Sequence, residues 1–148
     1  MPIKLPLPEG ANLEDFVQFV RATYALTVRE APPDLERAQW ISVLKLSTCW
    51  MFDDLRKLSI EKISETYPSC LDRAILGRSY NVRSWFLEGL QGLACPSHAL
   101  LPLGDFEGLG DRTALRVLYL RSASSRTKLQ LKIEDLFADE LASIELAA

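Results

Sequence analysis

The sequence predicts an all-α, or nearly all-α, protein built of stacked helical hairpins. Three observations predict this fold class. Apolar residues recur at helical spacing through most of the 148 residues, Pro and Gly gather at a few breaks between those stretches, and only Ile3-Lys4-Leu5 alternates as a strand would. A chain of this length fits one domain with a sizeable buried core.

The predicted helices lie between these breaks. The first opens at the Asx cap Asn12 and carries apolar residues on one face, namely Leu13, Phe16, Val17, Val20 and Tyr24. Asp34 is expected to cap the second helix, and Asp53 to be an N-cap or first-turn residue of the third. Helices are predicted over residues 12–24, 34–50, 52–67, 69–80, 81–94 (or 84–94), 111–122 and 128–147, with a loop over residues 96–110.

A repeat within the sequence predicts that two of the hairpins share one geometry. In each copy an aromatic residue ends one helix, a single residue makes the bend, and an apolar residue starts the next helix. The first copy is Leu46…Trp50-Met51-Phe52…Leu55, and the second, thirty residues later, is Leu76…Tyr80-Asn81-Val82…Trp85. Superposing residues 44–64 on 74–94 should place Trp50 on Tyr80 and Phe52 on Val82. The main core is expected to hold Leu46, Leu55, Leu58, Leu76 and Trp85.

The last segment of the chain is amphipathic. It follows a polar stretch over residues 122–127 and carries a stripe wide enough to bury, formed by Leu129, Ile133, Leu136, Phe137, Leu141 and Ile144. Two arrangements are open: the segment folds back onto the domain, or it pairs with another chain. The sequence is therefore expected to divide into a helical domain over residues 1–125 and an amphipathic C-terminal helix over residues 126–148.

Four stretches of the sequence carry a family resemblance: FVQFVRATY (residues 16–24), WISVLKLSTCWMFDDLR (40–56), DRAILGRSYNVRSW (72–85) and LGDRTAL (109–115). In this order they resemble BTB (POZ) domain proteins of mushroom-forming fungi. The first two resemble late helices of the BTB domain. The third is similar to the helical hairpin that begins the following BACK-like region, and the fourth fits the family's next Leu-Gly-containing turn and helix. The resemblance covers roughly residues 2–125.

The resemblance implies an adaptor function and a nearly all-helical fold. In the family the BTB surface homodimerises and can engage cullin ubiquitin-ligase scaffolds. The first half of the BTB domain, with most of its sheet and its main dimerisation helix, has no counterpart here. The usual cullin-contact segment would lie before Met1, so no residue present is assigned a cullin role.

The missing half implies an open apolar face on the helices between residues 12 and 63. This face is expected to be lined by some of Leu13, Phe16, Val17, Val20, Ile41 and Leu44. Covering such a face is favourable, because apolar surface gains roughly 25 cal/mol per Å² when it leaves water. We expect the C-terminal stripe to cover it, within its own chain or swapped into a second copy, or the face to self-associate directly.

The sequence predicts no catalytic, cofactor-binding or metal site. His98, the only histidine, lies three residues after Cys95 in a Pro-containing loop, and no third group is placed to orient a Cys–His pair. One histidine and scattered cysteines do not make the close ligand pairs of a structural zinc site. The three cysteines are therefore expected to be buried reduced thiols: Cys49, Cys70 and Cys95.

Other polar and aromatic clusters have structural explanations. Neighbouring acidic residues point about 100° apart on a helix and do not converge on one substrate, which applies to Asp53-Asp54, Glu134-Asp135 and Asp139-Glu140. No phosphate-loop pattern is formed by Gly104, Gly108 and Gly110. Core packing is expected for Trp40, Trp50 and Trp85, with an exposed aromatic anchor as the alternative. A solvated face is expected for the basic cluster of Arg112, Arg116, Arg121, Arg126 and Lys128, with a site for an acidic peptide as the next alternative and nucleic acid as the last.

Charge and hydropathy argue against a nucleic-acid-binding, a membrane-spanning or a secreted protein. The net charge is −3, which argues against nucleic acid, because phosphate binding needs a basic surface. No apolar run is long enough to span a bilayer, and the first ten residues do not form a secretion signal. An odd number of reduced cysteines favours an intracellular protein, cytoplasmic or nuclear.

These observations predict a protein-interaction or adaptor module without catalysis. Its partner is another protein, or a second copy of the chain. The alternative is a transcription-associated helical DNA-binding or regulatory protein, suggested by the hairpin geometry. Salt-dependent DNA binding would discriminate the two.

Overall fold

In the computed structural model the chain divides into two compact units, Met1–Tyr67 (unit 1) and Pro68–Ala148 (unit 2). The structure describes residues 7–66, 68–95, 104, 107–122 and 129–147. Within these residues it contains eight α-helices and no strand, which confirms the all-α fold class. Ile3-Lys4-Leu5 lies outside the described residues. The helices are α1 Leu13–Val28, α2 Arg37–Cys49, α3 Asp53–Glu65, α4 Cys70–Ser79, α5 Arg83–Ala94, α6 Asp111–Ser122, α7 Leu129–Leu136 and α8 Ala138–Ala147.

Unit 1 begins with a capped helix. The Asn12 side chain accepts a hydrogen bond from Asp15 N–H (2.9 Å), and the Asp15 carboxylate accepts one from Asn12 N–H (3.1 Å), which completes a capping box. Helix α1 runs four residues beyond its predicted end at Tyr24, because no Pro or Gly interrupts it before it ends at Arg29, whose backbone is left-handed (φ 57°).

The start of α2 differs from the prediction. Its N-cap is Glu36 rather than Asp34, and Glu36 N–H donates to Gln39 Oε1 at 3.0 Å. In α3 the N-cap is Phe52, and Asp53 is a first-turn residue, where a negative charge is favourable.

The predicted repeat is confirmed in the backbone. Trp50 and Tyr80 each form the C-cap of the first helix, Met51 and Asn81 each have a left-handed backbone (φ 59° and 58°), and Phe52 and Val82 each form the N-cap of the second. The hydrogen bonds of the bend also correspond, with Phe52 N–H donating to Ser47 O (2.9 Å) and Val82 N–H to Gly77 O (2.8 Å). The α2–α3 and α4–α5 hairpins therefore turn in the same way.

The expected core residues are buried to different degrees. Leu46, Leu55 and Trp85 are buried, whereas Leu58 and Leu76 are only half-buried. In unit 1, α1 and α3 pack against α2, around a core that includes Phe19, Ala22, Trp40, Val43, Leu44, Leu46, Leu55 and Ile63.

In unit 2, α4 and α5 cross at very short distance. A Cβ atom at Gly77 would overlap the backbone of Phe86, and one at Gly89 would overlap the backbone of Ala74. At the end of α4, the Arg78 guanidinium donates to the carbonyl oxygens of Leu109 (2.6 Å) and Gly108 (3.2 Å). These bonds hold the turn before α6 against α4.

The C-terminal segment belongs to the core of unit 2. It forms two helices, α7 and α8, that meet at Phe137 and bury Ile133, Phe137, Leu141 and Ile144 with residues of α5 and α6. Of the two open arrangements, the chain folds back on itself. The expectation that this stripe covers the apolar face of α1 is wrong, because Ile133, Phe137, Leu141 and Ile144 are packed within unit 2. The division of the chain also differs from the one expected at residue 125, since α7 and α8 complete the same core as α4, α5 and α6.

Candidate protein-interaction surface

Helix α1 carries an apolar stripe that faces solvent. Leu13 is 78% exposed, Val17 45%, Val20 46% and Tyr24 63%. Their spacings of four, three and four residues place the four side chains along one side of the helix. We call these four residues the α1 stripe.

The opposite side of α1 packs against the rest of unit 1, and two of its buried side chains are polar. The buried residues are Asp15, Gln18, Phe19, Ala22 and Ala25. A surface helix usually buries its apolar stripe and exposes its polar side. In α1 the outward side carries an apolar stripe while Asp15 and Gln18 are buried, which departs from that rule.

The buried carboxylate of Asp15 is held by several partners. Lys45 Nζ approaches its Oδ2 at 3.4 Å and also donates to the carbonyl oxygen of Gly10. Burial raises the pKa of Asp15, but hydrogen bonds from the Ser42 hydroxyl and the Asn12 backbone and the charge of Lys45 outweigh it, so the pKa lies below its ordinary value. Asp15 is therefore charged at neutral pH, and its contacts with Ser42 and Lys45 join this side of α1 to α2.

A pocket adjoins the N-terminal end of the α1 stripe. It has a volume of about 370 Å³ and is lined by Leu7, Ala11, Asn12, Leu13, Phe16 and Trp50. Trp50 forms its wall from the end of α2 and meets Phe16 edge-to-face at 6.3 Å between ring centroids. The pocket is mostly apolar and open to solvent, so it suits an apolar or aromatic side chain of a partner.

The bend between α2 and α3 extends the exposed apolar surface of unit 1. Met51 is 85% exposed and Phe52 47%. Phe52 packs edge-to-face on Phe19 at 5.3 Å, and Trp50 packs on the same ring at 5.0 Å. The aromatic end of the hairpin therefore stands beside α1 and supports the wall of the pocket.

The tryptophans divide between the two expected roles. Trp40 and Trp85 are buried, at 2% and 4% exposure, as core packing requires. Trp50 is half-buried and lines the pocket, in the position of an exposed aromatic anchor.

The candidate nucleophiles and metal ligands do not form a cluster in the part of the chain that the structure describes. His98 lies outside that part. Cys49 is exposed and Cys70 and Cys95 are half-buried, all as reduced thiols, so the expectation that they are buried is wrong. Among the described residues no three His, Cys, Asp or Glu side chains stand close enough together to hold a metal ion.

Two of the described members of the basic cluster, Arg112 and Arg116, face carboxylates of α8. Arg116 Nη1 lies 3.0 Å from Glu140 Oε1, and Arg112 Nη2 lies 3.8 Å from Asp139 Oδ2. The Arg116 guanidinium also stacks on the Phe137 ring at 5.3 Å. Arg126 and Lys128 lie outside the described residues. The acidic pair Asp139-Glu140 thus neutralises this part of the cluster rather than forming a site of its own.

The acidic pair Asp53-Asp54 and the glycine Gly110 lie at the starts of helices. Asp53 and Asp54 lie exposed in the first turn of α3. Gly110 precedes α6 with a left-handed backbone (φ 80°) that glycine adopts without strain. No helix in the described ranges is long and apolar enough to cross a membrane.

No protein-family model matches the chain, and neither a curated protein nor a solved structure matches it. The α1 stripe was visible in the sequence, because its residues share one side of a predicted helix. The pocket was not, since it exists only where Trp50 of α2 meets Phe16 of α1, and nothing local to either residue predicts that meeting.

Proposed function

We propose that the chain is a protein-interaction module, an adaptor without catalysis of its own, and that it binds its partner through the α1 stripe and the adjoining pocket. The observation that carries this proposal is the outward orientation of the stripe. Four apolar side chains of one helix face solvent while Asp15 and Gln18 of the same helix are buried.

The size of the exposed patch supports a binding role. The four side chains together expose on the order of 500 Å² of largely apolar surface, which is within the range of the largest patches on ordinary monomers, and those are often functional. Covering it would release on the order of 10 kcal/mol before the costs of association. The pocket offers a place for one anchoring side chain, the feature around which binding energy usually concentrates.

The family resemblance enters the proposal as well. The α2–α3 and α4–α5 hairpins lie in the stretches of sequence, residues 40–56 and 72–85, that resemble late BTB helices and a BACK-like hairpin. Such modules act as adaptors inside the cell, and the odd number of reduced cysteines favours the same location. The DNA-binding alternative gains no support from the basic cluster, because Arg112 and Arg116 face carboxylates.

The proposal is tested by changing the α1 stripe while leaving the fold intact. The double variant Val17→Glu/Val20→Glu places two charges in the middle of the stripe at positions that are about half exposed. The matched control is Leu115→Glu/Leu118→Glu on α6, where both leucines are also exposed. Circular dichroism should show the same helical content in both variants and in the wild type.

Immobilised wild-type protein, stripe variant and control are then compared for the proteins they capture from a cell extract, quantified by mass spectrometry. We expect a set of proteins, or the chain itself, that the wild type and the control retain and the stripe variant loses. Capture of the same set by all three proteins would contradict a binding role for the α1 stripe.

A further inference from the structure

We infer that the occupant of the α1 stripe is a second copy of this chain, paired with the first through antiparallel α1 helices across a twofold axis. The inference rests on the proposed function, because it names the partner of the same surface. Three properties of α1 carry it: the symmetry of the stripe, the charges along one of its edges, and the position of the pocket.

The stripe is symmetric about its own middle. The midpoint between Leu13 and Tyr24 along the helix is also the midpoint between Val17 and Val20. A twofold axis through this point brings Val17 opposite Val20 of the partner subunit, and Leu13 opposite Tyr24 of the partner subunit. All four apolar side chains of each α1 stripe are then covered by the partner helix, and no other residue type lies between the two stripes.

The charges on one edge of the stripe are self-complementary in this arrangement. Glu14 and Arg21 are both exposed and lie two helical turns apart on the same edge. In an antiparallel pair this edge meets the same edge of the partner in reverse order. Glu14 and Arg21 of the partner subunit are then about 3 Å apart along the helix axis, within reach of their side chains, and the pair occurs twice.

A parallel pairing lacks this complementarity. It would set the edge with Glu14 and Arg21 against the other edge of the partner helix, which carries uncharged residues, Phe16 and Thr23 among them. The order of the charges therefore favours the antiparallel arrangement.

The pocket lies where the antiparallel arrangement needs it. Leu13 belongs both to the stripe and to the pocket wall. Tyr24 of the partner subunit, opposite Leu13, stands at the mouth of the pocket. The stripe contributes on the order of 500 Å² per copy, below the roughly 800 Å² of a standard interface, so the dimer is expected to be weak and to dissociate in the micromolar range.

The first test measures the mass of the wild-type chain in solution by sedimentation equilibrium across the micromolar range. We expect a concentration-dependent monomer–dimer equilibrium that Val17→Glu/Val20→Glu abolishes and the control Leu115→Glu/Leu118→Glu retains. A wild-type chain that stays monomeric throughout, or a dimer that the stripe variant still forms, would overturn the inference.

The second test reverses the edge charges one at a time. Glu14→Arg leaves two cationic side chains on the edge, and Arg21→Glu leaves two anionic ones, so each variant alone should dimerise about threefold to tenfold more weakly than the wild type at low salt. Mixed in equal amounts, the two variants should form a heterodimer at least as tight as the wild-type dimer, because both edge pairs are again opposite in charge.

Weaker dimerisation of each variant alone, together with recovery on mixing, identifies the antiparallel arrangement, because that arrangement brings position 14 against position 21 twice. Failure of the mixture to associate more tightly than either variant would rule that arrangement out. One outcome separates the two proposals: the wild-type chain is monomeric, but the Val17→Glu/Val20→Glu variant captures fewer proteins than the wild type. The inference of a second copy is then wrong, and the proposed function stands. If neither mass nor capture depends on the stripe, both are wrong.

Discussion

Met51 and Asn81 occupy the same place in two separate helical hairpins, and both have a left-handed backbone, with φ of 59° and 58°. Each follows an aromatic C-cap and precedes an apolar N-cap. A left-handed backbone costs a residue with a side chain about 1–2 kcal/mol, and asparagine tolerates it better than most. The two bends therefore have the same shape but different strain.

Replacing Met51 by glycine should stabilise unit 1. The Met51 side chain is 85% exposed, so Met51→Gly loses little packing while it removes the left-handed strain. After the entropy that glycine gains in the unfolded chain is subtracted, we expect the free energy of unfolding to rise by about 0.5–1 kcal/mol. Urea denaturation of the dilute protein measures the change. Asn81→Gly is the comparison and should give a smaller rise, and a loss of stability in Met51→Gly would contradict the strain at this bend.

Glycines at the crossing of α4 and α5 should resist substitution. In Gly77→Ala the added Cβ would meet the backbone of Phe86, and in Gly89→Ala it would meet the backbone of Ala74, so the helices must move apart. Each variant should lose about 1–3 kcal/mol or more of unfolding free energy. Gly104→Ala is the matched control, because a Cβ there has no described atom within 4 Å. Thermal denaturation measures all three variants. Equal stability would show that α4 and α5 leave room for a Cβ atom at their crossing.

The hairpins could be predicted from the sequence because their signals are local. Each bend is determined by three consecutive residues: an aromatic residue, a bend residue and an apolar residue. These triplets begin at Trp50 and at Tyr80. Caps act locally too: Ser69, the first residue of the helix predicted over residues 69–80, accepts a hydrogen bond from Asp72 N–H at 3.1 Å.

The orientation of α1 could not be predicted from the same kind of signal. The apolar stripe specifies a face, but the opposite face is buried through contacts that are distant in the sequence, such as that of Lys45 of α2 with Asp15 thirty positions earlier. The destination of the C-terminal stripe was ambiguous for a related reason. The width of the stripe predicts that it is buried. The surface that buries it, the core around Phe86 and Leu90, belongs to helices that are distant in the sequence.

Protonation of Asp15 should weaken unit 1 at low pH. Its pKa in the folded chain is depressed below the ordinary value of 3.8, so the stability it contributes is present above that value and is lost as the pH falls through the folded-state pKa. The difference in unfolding free energy between the wild type and Asp15→Asn should therefore be constant near neutral pH and shrink below about pH 4. Urea titrations across this range measure it.

A second variant measures the part of this pH dependence that Lys45 contributes. Lys45→Gln removes the cation that approaches Asp15 Oδ2 at 3.4 Å, and the pH dependence of its unfolding free energy should be weaker than that of the wild type. A difference between wild type and Asp15→Asn that stays unchanged from neutral to acidic pH would contradict the ion pair as a source of stability.

Phe137, at the junction of α7 and α8, should be indispensable to unit 2. Its ring is fully buried, meets Phe86 edge-to-face at 6.0 Å and lies under the Arg116 guanidinium. Phe137→Ala removes these contacts and leaves a cavity in a core that α5, α6, α7 and α8 share, so we expect a loss of about 3–5 kcal/mol. Leu146→Ala, nine residues later in the same segment, changes a side chain that is 90% exposed and should shift stability by less than about 0.5 kcal/mol. Urea denaturation measures both variants, and binding of a dye that reports exposed apolar surface should rise in Phe137→Ala alone. A Phe137→Ala protein that unfolds like the wild type and binds no more dye would show that the C-terminal helices are not part of this core.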